Sequence, residues 1–118
     1  MTTEHSKSRV AAIVLAAGRS TRFLAAGGKG ATKLVAPLGD HPLVVHAAHG
    51  AIASRARPII VVTGHARDEV IAALIGLPIV EIYNPLYASG LASSLKTGIS
   101  ALSATIEGAL ILLGDMPL

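Results

Sequence analysis

Four short apolar runs divide this 118-residue chain: VAAIVLA (10–16), PIIVVT (58–63), LPIVEIY (77–83) and GALILLG (108–114). They are predominantly hydrophobic and do not alternate, so each reads as a strand of a parallel sheet covered by helices. The intervals between them leave room for those helices. ARDEVIAAL (66–74) carries Val70, Ile71 and Leu74 on one side, and HPLVVHAAHGAIAS places Pro42 at the first position of an Ala-rich helix. GLASSLKTGISAL spaces Leu91, Leu95, Ile99 and Leu102 by four, four and three, the apolar stripe of an amphipathic helix. Strands alternating with helices predict an α/β fold with right-handed crossovers. In such sheets ligands lie beyond the carboxyl ends of the strands, which singles out the loops AGRSTRF…K, TGH, NPLYASG and GDMP.

The length suits one domain, and the 52% of hydrophobic residues, with two tyrosines and one phenylalanine, suit a core of aliphatic strands and Ala-rich helices. No apolar run approaches the ~20 residues that span a bilayer. The leader MTTEHSKSR (1–9) lacks the apolar stretch of a secretion signal, so a flexible leader and a cytoplasmic location are expected. The absence of cysteine removes disulfide, thiolate-metal and cysteine-nucleophile chemistry together. Four of the ten cations, Arg19, Arg22, Lys29 and Lys33, fall within residues 14–34 with no acid among them. Charge concentrated in this way favours a phosphorylated small molecule over nucleic acid, which would want a basic stripe with interleaved aromatics. GALILLGDMPL stops four residues after its strand closes, so the sheet is expected to be cut short after its fourth strand.

A glycine-rich turn after the first strand lets backbone N–H groups approach phosphate oxygens, and Gly18 stands where that turn begins. Neither the P-loop pattern nor the dinucleotide fingerprint is present. The LAAGRSTRF…K stretch resembles instead the nucleotidyltransferase signature L-A-A-G-x-S-x-R-M-G-x-x-K. With VVTGH, NPLYASGLASSLKTGI and LLGDMP following in order, the resemblance runs from Val10 to Leu118 and is to the MobA-like nucleotidyltransferases, within them more to the molybdopterin cytidylyltransferases.

That resemblance implies a Rossmann-like, glycosyltransferase-A type three-layer sandwich with a mostly parallel sheet. It also implies transfer of a nucleoside monophosphate from a triphosphate to a phosphate on molybdopterin, with release of pyrophosphate. By the same resemblance Leu15, Ala16, Ala17 and Gly18, with Arg19, hold the nucleotide, while Arg22 and Lys33 act on its phosphates. Asp115 holds Mg²⁺. Members with LAAG in the first loop tend to use CTP and guanylyl-transferring members tend to carry LAGG, so Ala17 favours CTP over GTP. The partners implied are the triphosphate and a phosphorylated pterin acceptor, and a molybdoenzyme or its chaperone. Between Arg22 and Lys33 the chain departs from the pattern: Phe23 replaces Met and LAAGGKGATK is longer than usual, which leaves Lys29 as an alternative to Lys33.

The residue types fit the chemistry on physical grounds. An anionic acceptor reaches the α-phosphorus of a triphosphate only if cations and a metal screen the repulsion. A lone carboxylate beside triphosphate oxygens suffices for Mg²⁺, which keeps several of its waters; Asp115 could equally be a turn aspartate before Met-Pro. Thr63, Gly64 and His65 sit at a strand end where they could line the pocket. Asn84, Gly90, Ser93 and Ser94 belong to the region that lies by base and ribose in the family, although the serines read equally well as caps of a helix start. His41, His46 and His49 lack accompanying carboxylates and read as surface histidines. Two alternatives stay open: another sugar- or polyol-phosphate nucleotidylyltransferase, and a nucleotide-binding or regulatory module without turnover.

Overall fold

The structure, a computed structural model, describes residues 10–17, 37–38 and 41–114. β1 (Val10–Ala16) is followed by a two-rung antiparallel ladder of β2 (Pro37–Leu38) and β3 (His41–Pro42), and then by helix α1 (Leu43–Ala53). β4 (Ile59–Thr63), α2 (Arg67–Ala73), β5 (Val80–Tyr83), a 3₁₀ turn at Tyr87–Ser89, α3 (Leu91–Ser100) and β6 (Gly108–Leu113) complete the described chain. The four long strands form one parallel sheet in the order β5-β4-β1-β6.

Side-chain alternation along β1 makes the sheet the middle of three layers. Ala12, Val14 and Ala16 pack with Ile59 and Val61 of β4 under α1 and α2, where Val44, Ala47, Ala48, Ala51, Val70 and Leu74 are buried. Ile13, Leu15 and Ala17 pack on the opposite face with Ile60 and Val62, against Tyr87, Leu95 and Leu102. The helices that lead toward β5 cover one face and the helix that leads back to β6 covers the other, as right-handed crossovers require. The predicted α/β sandwich and all four predicted strands are present. Because β4 and β5 lie on one side of β1 and β6 on the other, the strand order reverses between β1 and β6, and the general rule for such sheets puts a ligand crevice at the carboxyl ends there.

Three local readings are corrected. Pro42 does not open α1 as its first helical residue; its extended backbone (φ −58°, ψ 154°) makes it the residue before the helix, paired with Pro37. β5 starts at Val80 and not at Leu77, because the chain turns through Gly76 (φ +86°) and Leu77 donates its N–H to Leu74 O at 3.1 Å. The stripe predicted for α3 is rotated. Leu91 is 61% exposed and Ile99 51%, while the residues buried against the sheet are Ser94 and Gly98, flanked by Leu95 and Leu102. Small residues on that face let the helix axis approach the sheet: a Cβ on Gly98 would lie 2.8 Å from Ile13 Cγ2 and 3.1 Å from Val62 Cγ2.

Candidate functional site

At the carboxyl end of the sheet each strand exit is tied to its neighbour by backbone. Gly114 donates its N–H to Leu15 O at 2.9 Å, His65 to Ala17 O at 3.2 Å, and Asn84 to Thr63 O at 2.8 Å. Gly64 is buried where these exits meet. A Cβ there would sit 2.5 Å from Tyr87 Cβ and 2.8 Å from both the Cβ and the carbonyl oxygen of Ala17. The exits of β1 and β4 and the 3₁₀ turn therefore meet at a point where a hydrogen atom fits and a methyl group does not. The Tyr87 ring packs onto the Ala17 side of the core and stands tilted by 55° to the His65 ring, with centroids 6.1 Å apart. The His65 side chain is exposed beside it.

The loop after β5 is fastened by one buried carboxamide. Asn84, 1% exposed, donates through Nδ2 to Ser93 Oγ (2.8 Å) and Ser94 Oγ (3.0 Å), and its Oδ1 accepts the N–H of Leu86 at 3.0 Å. Ser93 Oγ in turn donates to Leu86 O at 2.9 Å. A hydroxyl has one proton, so toward a ligand Ser93 Oγ can only accept, matching a ribose hydroxyl or a base N–H and not a phosphate oxygen. Gly90, with φ +113° and ψ 178°, holds a backbone region essentially reserved for glycine and directs the chain into α3.

Thr63 is fully buried and its hydroxyl donates to the Glu81 carboxylate. Arg67 Nε donates to the same carboxylate at 2.9 Å, and the guanidinium lies 5.3 Å from the centre of the Tyr83 ring. The Arg67 hydrogen bond holds the Glu81 carboxyl below its ordinary range; partial burial opposes this, and the Thr63 hydroxyl and the Arg67 charge reinforce it. Arg67, a cation near a strand exit, is thus engaged within the fold.

Of the residues singled out in the sequence, Leu15, Ala16, Ala17, Thr63, Gly64, His65, Asn84, Gly90, Ser93 and Ser94 are brought to this one end of the sheet. The Leu15 and Ala16 side chains are buried in opposite layers, so what they can offer a ligand is backbone. The side chain of Thr63 is turned to Glu81, and the serine hydroxyls are bound to Asn84. Gly18, Arg19, Arg22, Lys29, Lys33 and Asp115 lie outside the described residues. Among the described residues no cluster of three His, Asp or Glu side chains is placed to hold a metal ion, and no helix is long and apolar enough to cross a membrane.

A family model, the MobA-like NTP transferase domain, matches residues 12–118 of this chain. The chain belongs to the MobA-like NTP transferase family. Among curated proteins it is 35% identical over 112 residues to Bifunctional protein GlmU of Sorangium cellulosum, covering 91% of this chain and 23% of that protein. Among solved structures it matches a nucleotidyl transferase from Methanothermobacter thermautotroptrophicus at 30% identity and TM-score 0.81, covering 92% of this chain and 51% of the other. The homologue of Rv0371c from Mycobacterium sp. strain JC1 matches at 39% identity and TM-score 0.64, covering 92% and 52%. The chain thus spans about half the length of these structures and about a quarter of the GlmU relative.

Sequence reasoning about this MobA-like domain passes over Tyr87 and the Arg67–Glu81 pair. A signal for Tyr87 exists, since an aromatic is rare in this chain and this one stands in the loop after a strand. Glu81 gives a weaker one, as a lone acid inside the apolar run LPIVEIY needs a partner when the strand pairs.

Proposed function

We propose that this domain transfers a nucleoside monophosphate, CMP from CTP with GTP the weaker donor, to the phosphate of molybdopterin. The observation that carries the reading is the close meeting of the β1 exit at Ala17, the β4 exit at Gly64 and the 3₁₀ turn at Tyr87, at the carboxyl end of the sheet in a chain of the MobA-like NTP transferase family. The reaction forms a bond from an acceptor phosphate oxygen to the α-phosphorus of the donor. The bond from that phosphorus to the bridging oxygen breaks, and pyrophosphate leaves with the electron pair.

Most of the work is positioning and charge neutralisation. Arg22 and Lys33 balance the charge that develops on the leaving pyrophosphate, Arg as a bidentate fork and Lys as a point charge. Asp115, next in sequence after Gly114, would hold Mg²⁺, and the ion would supply further charge neutralisation. The backbone of residues 15–17 and Gly64 admits the donor closely, and Ser93 accepts from the nucleoside. A molybdoenzyme or its chaperone receives the product.

The relatives carry the names GlmU, nucleotidyl transferase and Rv0371c homologue, so the acceptor is decided by assay. Calorimetric titration with CTP and GTP, with and without Mg²⁺, is followed by pyrophosphate release in the presence of molybdopterin or of a sugar phosphate. Release with molybdopterin, lost in Lys33→Ala and Asp115→Ala, supports the reading. Release with the sugar phosphate alone transfers the domain to a sugar-phosphate reaction, and binding without release makes it a nucleotide-binding module.

A further inference from the structure

Asn84 stands among the residues that the sequence suggests as nucleotide contacts, yet its side chain has no proton left to donate to a ligand and is buried away from one. Both Nδ2 protons go to Ser93 and Ser94, Oδ1 takes the Leu86 N–H, and the group is buried. These bonds join the end of β5, the turn that follows it and the first turn of α3. The Leu86 carbonyl closes the ring, accepting from Ser93 Oγ and from the Ser89 N–H, each at 2.9 Å. The assignment of the carboxamide is fixed by its partners, because a backbone N–H can only donate and so must face Oδ1.

We infer that Asn84 is a positioning residue: it holds Gly90 and Ser93 at the crevice, and thereby sets donor affinity, without touching the nucleotide. The inference rests on the nucleotidyltransferase reading for its ligand, whereas the clasp itself does not. Three bonds from one buried side chain determine where the segment from Leu86 to Ser94 sits. Its helix-start glycine has no side chain with which to cap or anchor itself, and no side-chain cap bond is made at that helix start. Removing the carboxamide leaves Ser94, itself buried, without its donor and frees the turn.

The test is a double-mutant cycle read in the affinity for Mg²⁺-CTP, with Asn84→Ala, the Ser93→Ala/Ser94→Ala pair and the triple variant. Asn84→Ala is expected to weaken binding by about tenfold in the natural background, and by less than about twofold once both serines are gone. Equal losses in the two backgrounds would mean that Asn84 contacts the nucleotide directly and would overturn the inference. Amide exchange of Leu86 and Ser93 without ligand tests the clasp alone: protection that falls in Asn84→Ala supports it, and unchanged protection sinks it. Should natural protein bind neither CTP nor GTP, the nucleotide reading fails while exchange still judges the clasp. If Asn84→Ala does not fold, Asn84→Leu serves, since it is close in volume and can make none of the three bonds; undiminished affinity and protection in that variant count against the inference.

Discussion

At Gly64 and Gly98 single hydrogen atoms decide the packing, and the two positions differ in what else a methyl group would change. Gly64→Ala drives a Cβ into Tyr87 and into Ala17 Cβ and O, with no gain elsewhere. It is expected to cost about 1–3 kcal/mol by overpacking, measured as a lower urea midpoint, and to weaken nucleotide binding in the same protein. A variant as stable as the natural protein would mean that the three loops do not meet as described. Gly98→Ala brings a helix-propensity gain of about 1 kcal/mol against a similar overpacking cost of about 1–3 kcal/mol. The atoms met belong to Ile13 and Val62, β-branched side chains on buried strands with little freedom to turn away, so the net sign is destabilising. An increase in melting temperature would contradict this. Neither glycine could be assigned its role from the sequence, because a close approach belongs to two segments distant along the chain.

At the level of elements, what was legible followed from burial. β1 and β4 announced themselves because a strand covered on both faces must be apolar, whereas β5 and β6 are predominantly apolar in sequence yet stand partly exposed at the edges of the sheet. α3 is in place but with another side inward than its spacing predicts, since spacing detects the large apolar residues and not the small ones that permit close packing. The ladder of β2 and β3 is two residues per strand, too short to leave a periodicity. The positions of the strand exits were legible, and with them most of the candidate site; the hydrogen bonds of Asn84 and Glu81 were not, because their partners are set by the fold. The Arg67–Glu81 pair carries a pH dependence. With its carboxyl depressed on folding, Glu81 contributes stability that is complete above its unfolded pKa, about 4.3, and is lost as pH falls through the lower folded value. Urea midpoints at pH 7 and pH 3 should therefore differ less for Glu81→Gln than for the natural chain. Solvent exposure of Arg67 keeps the difference modest, and an equal pH dependence in the two proteins would remove the pair from the account.

On the scale of the whole molecule, β6 is the unusual strand. Leu110 and Ile111 are each 44% exposed and Leu113 is 36% exposed, in a run without charge or proline, the kind of edge that invites another strand. Self-association of this 118-residue chain is expected at micromolar concentration by light scattering, and Ile111→Lys should suppress it while changing stability by less than about 1 kcal/mol. Association untouched by that substitution would place the contact elsewhere. The sheet order has a further consequence, in time. β1 is made before β4 and β6, yet it lies between them, and its pairing of Val10 with Gly108 closes a separation of ~100 positions. A growing chain can pair β1 with β4 well before β6 exists. The central strand thus keeps one edge open until β6 has been synthesised, and the β1–β6 side of the site must wait for that strand.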